Sequence, residues 1–467
     1  MLLAYFILSV LIALATFRAG GRRTVAMLGT AFFAVQFALA AALFRCGFRG
    51  GAEALFFTPD ALGSLFFVLL AAVSALVFIH SRDYLADCAI ADYRRYAALQ
   101  MLLTAAITGA YFANNVAVTW IFLEATTLCA AGLVYFRHTE HSLEAAWKYV
   151  FVCSTGIAVA YLGILLLGTA ATGGSLGYEA LAREVTHGNP LYLKTAFVLI
   201  LCGYSCKLEI FPLHTVGVDA NFAAPAPASA LISTGLVNAG FVAVYRIYRI
   251  MMQTEAAPWV RSVLLLTGVA SLAVGAFFLR RTNNYKRFLS YSTVENMGIA
   301  AIGLGIGGPG VWAAVFHTAC HTLVKSSLFL QTAVMHGIYD DYRINRIGDY
   351  MRINRIGAIG FLLGAVLLLA FPPSPLFVSE LMILGGVLAD ERWWLAALLL
   401  VLLCIVIYSF VSRIVRLCYQ PNQDAVHRPA ASHRLAWTAL VPLGAALVLG
   451  LWQPEALRAL IERIVTI

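Results

Sequence analysis

The chain has 467 residues, 61% of them hydrophobic and only 12% charged, with a net charge of +9 and a mean hydropathy of +0.84. Soluble domains carry about 25% charged residues, so this composition excludes a soluble enzyme and predicts an all-α polytopic membrane protein. A spanning helix needs about 20 mostly apolar residues. In chain order the sequence offers about 14 such stretches: 2–19, 26–44, 61–79, 97–113, 115–135, 149–170, 195–213, 228–250, 262–279, 288–306, 311–334, 356–388, 394–415 and 436–452. Linkers are short, so one transmembrane domain over 1–467 is expected. The first run starts without a basic leader and is expected to be retained as a helix.

Two spans are interrupted. Pro212 follows Lys207 and Glu209 in the seventh, and the twelfth is too long for one straight helix and contains the run FPPSP, Phe371 to Pro375. Proline inside a helix removes a backbone hydrogen bond and clashes with the preceding turn. Paired interruptions, five spans apart, are the pattern of inverted repeats. The repeats are predicted at about 97–250 and 262–415, with helices 7 and 12 equivalent. The stretch 172–193 is Gly-rich at its start, and 417–434, with Pro421 and Pro429, suits a surface loop. Residues 453–467 fit an amphipathic interfacial helix with Arg458 and Arg463 on its polar side.

Connections after odd-numbered spans hold 20 Lys and Arg, and those after even-numbered spans hold 8. By the positive-inside rule the odd connections are cytoplasmic and both termini extracytoplasmic. The positive charge follows this rule and implies no nucleic-acid partner. Arg280, Arg281, Lys286 and Arg287 form a basic cluster assigned to anionic lipid head groups or solvent.

Against this background the buried ionisable residues carry the functional signal. Glu124 lies in WIFLEATTL and Lys207 in LCGYSCKLEIF. A charge at the bilayer centre costs roughly 2.5–3.5 kcal/mol on insertion scales and marks a water-filled path or a paired interior site. A protonated Glu packs no better than Leu, and apolar residues on both sides of Lys207 oppose snorkelling. Glu209 reads as a local counter-ion. His317, His321 and Lys325 are spaced four apart, stacking on one side of a helix over about 12 Å. Zinc can be shared by histidines at this spacing, but a third ligand is lacking and Lys325 would repel a cation. A proton relay is the expected use. Glu380 follows the FPPSP break. The nine cysteines are scattered without a CxxC, which favours packing over a metal or cluster. No cofactor is expected.

Several stretches in this order resemble the proton-pumping antiporter-like subunits of respiratory complex I (M-, L- and N-type), Mrp cation/proton antiporters and group 4 hydrogenases. They are NNVAVTWIFLEATTL, EAAWKYVFVCSTG, KLEIFPLHTVGVDANFAAPAPASAL, NNYKRFLSYSTVENMG, FHTACHTLVKSSLF and FVSEL. YSTVENMG and HTLVKSSLF are most similar to the hydrogenase-4 type. The resemblance implies proton transfer through Glu124, Lys207, His317, His321, Lys325 and Glu380. Lys148, at the position that modulates the family's span-five Glu, supports them together with Glu144, His214, Asn238 and Glu295. The chain departs from the family at three asparagines. Asn221 stands where the family loop has its second histidine, Asn238 where span eight has a basic residue, and Asn296 where related hydrogenase subunits have histidine.

The resemblance further implies a subunit without catalysis of its own in a redox-driven complex of hydrogenase-4 or NADH:quinone oxidoreductase type. Its partners would be other membrane subunits, a peripheral redox arm and the lipid of the cell (inner) membrane, with protons, or alternatively Na+, as the ion carried. Rival readings are a secondary cation/proton antiporter subunit, a membrane subunit of an inorganic-carbon uptake complex, and a scaffold that has lost conduction.

Overall fold

The computed structural model describes residues 1–48, 56–171, 173–421 and 433–466. Most of the surface loop expected at 417–434, from 422 to 432, lies outside the described residues. The regular structure of the described residues is helical, apart from isolated bridges. In order it forms α1 (Leu2–Phe17), α2 (Arg22–Arg45), α3 (Ala61–Tyr84), α4 (Ile90–Phe112), α5 (Val116–Val134), α6 (Glu140–Ala170), α7 (Tyr178–Glu184) and α8 (Pro190–Leu208). There follow α9 (Thr215–Ala223), α10 (Ala226–Leu231), a π-helical stretch (Ile232–Leu236) and α11 (Val237–Met251). Then come α12 (Ala257–Arg281), α13 (Tyr285–Ile306), α14 (Pro309–Tyr339), α15 (Tyr350–Ile353) and α16 (Arg355–Leu368). The chain closes with α17 (Pro375–Ala389), α18 (Trp393–Tyr419), α19 (His433–Leu451) and α20 (Glu455–Val465).

Among the described residues eight helices are long and apolar enough to cross a membrane, and nine if the pair α19 and α20 counts as one. The count falls below the expected fourteen for two physical reasons. Helices α4, α13 and α14 have the length, at 23, 22 and 31 residues, but buried polar side chains lower their hydropathy. Helices α1, α16 and α17 are only 16, 14 and 15 residues long. Burial is graded from centre to edge. The apolar window of Ala226–Met251 is 100% buried, whereas those of α2 and α18 are 33% buried. Nearly every side chain of α13 and α14 is buried. Protein therefore surrounds α13 and α14, which carry several of the polar groups.

Both sequence breaks are real. Helix α8 stops at Glu209, which caps it in a left-handed conformation (φ 55°). Backbone groups freed in a membrane need partners from protein or water. Here the Leu213 amide donates to Ser205 Oγ (3.3 Å) and the Phe211 amide to Ser271 Oγ (2.9 Å). Between α16 and α17, Ser374 accepts from the Leu376 amide (3.1 Å) and donates to Leu367 O (2.5 Å).

One construction appears twice. Asn115 caps α5 by accepting from the amides of Ala117 and Val118, and Asn284 caps α13 by accepting from those of Lys286 and Arg287. The residues beside each cap also form an isolated antiparallel bridge, Asn115 with Gly177 and Asn284 with Arg343. The hydrogen bonds match: Val116 N to Leu176 O (2.9 Å) and Tyr178 N to Asn114 O (3.0 Å), against Tyr285 N to Tyr342 O (2.9 Å) and Ile344 N to Asn283 O (3.1 Å).

The basic cluster expected at the surface divides. Arg280 and Arg281 are exposed, but Lys286 is 1% exposed and donates to Phe222 O (3.1 Å) and Ala224 O. Arg287 pairs with Asp219 (2.9 Å) and lies over the Phe222 ring. These carbonyls sit at the C-terminal end of α9, where backbone acceptors lack helical partners, so Lys286 fastens α9 to α13 from a buried position, and Arg287 adds a half-exposed link between the same helices. The stretch 172–193 contains the short helix α7. Helix α20 forms as expected, with Arg458 and Arg463 exposed and Leu460, Ile461 and Ile464 buried against the rest of the protein.

Candidate functional site

Lys207, fully buried, sits in the last turn of α8. Its Nζ donates to Thr127 Oγ1 at 2.8 Å. The Thr127 hydroxyl lies 3.3 Å from Glu124 Oε2 as a donor, one turn away on α5. Ser154 on α6 donates to the other carboxyl oxygen of Glu124 (2.6 Å). Lys207 also reaches Tyr149 Oη at 3.4 Å and lies over its ring at 5.1 Å. The acid and the base expected to act together are therefore joined through one hydroxyl. A hydroxyl that accepts from an ammonium and donates to a carboxylate can pass a proton by taking one and releasing another.

Glu209 is more than a local counter-ion. It is 1% exposed, accepts from Asn221 Nδ2 (3.0 Å), and its second oxygen has no partner among the described residues. A Cβ at Gly217 would come within 2.6 Å of the Glu209 carboxyl, so glycine there makes room for it. Asn221, one of the departures from the family pattern, thus holds a buried acid. His214 is 7% exposed, and its Nδ1 has no partner among the described residues.

A second group lies on α11, α13, α14 and α17. The π-helical stretch before α11, a form frequent at functional sites, precedes Asn238, which donates to Thr322 Oγ1 on α14 (2.8 Å). Thr322 neighbours His321, whose two ring nitrogens are both buried without a partner among the described residues. Lys325 donates to Ser292 Oγ on α13. One turn from Ser292, Glu295 accepts from Asn296 Nδ2 (2.5 Å). His317 Nδ1 bonds Ser379 Oγ (2.9 Å), beside Glu380 on α17. Glu380 itself is half-buried.

Lys148 and Glu144 stand apart. They pair with each other at 2.6 Å on the surface of α6, 55% and 58% exposed, beside His141, Asp219 and Arg287. The direct neighbours of Glu124 are Ser154 and Thr127. The hydroxyls of Thr127, Ser154, Ser292 and Ser379 do not stand out in the sequence. Only Thr127, three residues after Glu124 and so on its face of the helix, gives a signal that could be used.

The chain is similar to known proteins in sequence and in fold. The chain is 28% identical over 400 residues to a hydrogenase-4 component F homolog of Methylacidiphilum infernorum, covering 81% of this chain and 84% of that protein. It is 26% identical over 405 residues to NADH-quinone oxidoreductase subunit N of Hydrogenovibrio crunogenus, covering 85% and 83%. A probable K(+)/H(+) antiporter component of Rhizobium meliloti is 28% identical over 330 residues, but the chain spans only 32% of its length. Among solved structures, a chain of the archaeal membrane-bound sulfane sulfur reductase superposes with a TM-score of 0.87 at 21% identity, over 99% of this chain and 96% of that one. A chain of Thermus thermophilus respiratory complex I gives 0.82 at 20% identity, over 98% and 99%. The structural likenesses establish the fold. The profile of NADH:quinone oxidoreductase/Mrp antiporter transmembrane proteins matches residues 113–406, more than half of the sequence, and the chain belongs to that family.

Proposed function

We propose that this chain is the proton-translocating membrane subunit of a redox-driven complex of hydrogenase-4 or NADH:quinone oxidoreductase type. The observation that carries the reading is the connection from buried Lys207 through Thr127 to half-buried Glu124, with a second buried lysine, Lys325, held by Ser292. Glu124 and Lys207 exchange a proton through Thr127 in the first half. Asn238 and Thr322 link this half to His321, Lys325 and His317, and Glu380 receives the proton for release. Moving one charge against 100 mV costs about 2.3 kcal/mol, so partner subunits supply the driving reaction and the chain itself catalyses none.

In this reading fourteen spans cross the cell membrane: α1 to α6, α8, α10 with α11, α12, α13, α14, α16 with α17, α18 and α19. The twin cap-and-bridge constructions at Asn115 and Asn284, and the two broken helices, support repeats at about 97–250 and 262–415 in opposite orientation. Five spans separate the twin caps, which places them on opposite sides of the membrane.

The test is proton uptake by the complex in vesicles. Glu124→Gln and Lys207→Met keep side-chain volume and remove titration, and each is expected to abolish uptake while assembly stays intact. Wild-type uptake in either variant overturns the reading. The likeness to the Rhizobium K(+)/H(+) antiporter component favours a second reading, cation/proton exchange. An imposed K+ or Na+ gradient that drives uptake without a redox substrate would establish it.

A further inference from the structure

Glu209 is buried in the break after α8, with one carboxyl oxygen bonded to Asn221 and the other without a partner among the described residues. Contacts on two sides place it between the halves. On the first, it follows Lys207 by two residues, where α11 packs against the end of α8. A Cβ at Gly240 would meet the Leu208 nitrogen at 2.7 Å and the Lys207 carbonyl carbon at 2.9 Å, so glycine lets α11 press on this backbone. Tyr149, whose hydroxyl accepts from Lys207, also feels the charge of Glu209. On the second side, contacts lead to the Lys325 site. Ser229 on α10 donates to Asn221 O (2.8 Å), and one turn on, Ser233 bonds Thr293 Oγ1 on α13 (2.8 Å). The residue before Thr293 is Ser292, which holds Lys325. The Lys325 ammonium acts electrostatically on Glu209 as well as on Glu295.

A buried carboxyl that bonds an amide rather than a cation carries a desolvation cost that an apolar side chain would not. A buried polar atom without a partner likewise calls for a physical reason. Asn238 and Thr322, which link the halves, have no group that ionises at physiological pH. We propose that Glu209 is the proton carrier between the halves, taking protons from Lys207 and yielding them to Lys325. A proton released by the Lys207 ammonium reaches Oε2 of the carboxylate through bound water and leaves Lys207 as the amine. The neutral carboxyl then gives the proton through bound water to the amine of Lys325, which becomes the ammonium. Glu209 is again a carboxylate, and the Asn221 bond to Oε1 holds it in place throughout.

The inference rests on proton translocation as proposed above, and the experiment separates the two. Proton uptake into vesicles is measured for the assembled complex with Glu209→Gln, with Glu209→Gln and Asn221→Asp together, and with Lys207→Met. Gln keeps the volume and can still accept from Asn221, but it cannot titrate. The double exchange moves the carboxyl across the 3.0 Å bond and keeps one acid and one amide. The expected result is a loss of about ten-fold or more in Glu209→Gln, with most of the rate regained in the exchange. Wild-type uptake in Glu209→Gln overturns the inference. A loss that the exchange leaves unrepaired overturns it too, and assigns the carboxyl to holding α9. Glu209→Leu with Asn221→Leu removes both partners of the bond together, which protects the fold if Glu209→Gln does not assemble, and wild-type uptake there is equally fatal. Lys207→Met sets the other boundary. If it conducts normally, translocation through Lys207 fails; if it is blocked while Glu209→Gln conducts, only the role of Glu209 fails.

Discussion

A threonine hydroxyl standing between a buried lysine and a half-buried glutamate makes the smallest feature of the site the easiest to test. The Thr127 hydroxyl has a competing acceptor in Leu123 O at 3.4 Å, so its proton can be shared between the backbone and Glu124. Thr127→Val keeps the shape and removes the bridge. At least a ten-fold slower uptake is expected, with assembly unchanged, while Thr127→Ser remains close to wild type. Equal rates in Thr127→Val and wild type would mean that protons bypass the hydroxyl. Asn238 is the matching test between the halves. Asn238→Leu removes the donor to Thr322 and is expected to slow uptake strongly, whereas Asn238→Lys restores the group usual in the family and is expected to be tolerated. The charged members of the site were legible because packing alone gives no reason to keep an ionisable residue in an apolar run. Thr127, Ser154, Ser292 and Ser379 were not, because a hydroxyl in a helix usually bonds the carbonyl a turn back and its sequence looks the same in either case. The role of Glu209 is hidden in the sequence for a different reason. Its burial depends on a left-handed cap and on Asn221 twelve residues away.

Between elements, hydrogen bonds to helix ends decide what holds. Arg246 on α11 donates to the carbonyls of Ala110, Tyr111 and Ala113 at the end of α4 (3.2, 2.5 and 2.9 Å) and to Asp60 (2.9 Å), which caps α3. One buried guanidinium thus ties three helices. Arg246→Met leaves buried acceptors and an acid without their donor, and a loss of about 3 kcal/mol is expected. Asp60→Asn is expected to cost far less, on the order of 1 kcal/mol. Its side chain is 44% exposed, and Asn still caps a helix. Thermal unfolding of the detergent-purified complex checks the order, and an Asp60→Asn midpoint below that of Arg246→Met would contradict it. At this scale the breaks at Pro212 and at FPPSP were plain in the sequence, since proline stops a helix by a local steric rule. The π-helical stretch at Ile232–Leu236 was not, nor was the burial of Lys286. Both are set by neighbours far away in the chain.

For the whole molecule, orientation is the property that fixes the direction of every other step. The structure removes one residue from each side of the charge count: Lys286, which holds α9, and Arg246, which holds α4. The excess of Lys and Arg in odd-numbered connections is therefore unchanged by burial, and the positive-inside rule still predicts a cytoplasmic location for that face. In that predicted orientation the cavity at Tyr84 and Arg137 would open to the cytoplasm, the side from which a pump takes protons. The polar hollow of about 620 Å³ at Asn114, Tyr178 and Arg249 opens to the opposite side. A cytoplasm-active reporter such as a fluorescent protein is expected to be active when joined after Arg137 and inactive after Thr466. A phosphatase reporter, which needs the extracytoplasmic side, is expected to show the reverse. Fluorescence at Thr466 with phosphatase activity at Arg137 would invert the molecule, and the cavity at Tyr84 and Arg137 would then face the opposite side.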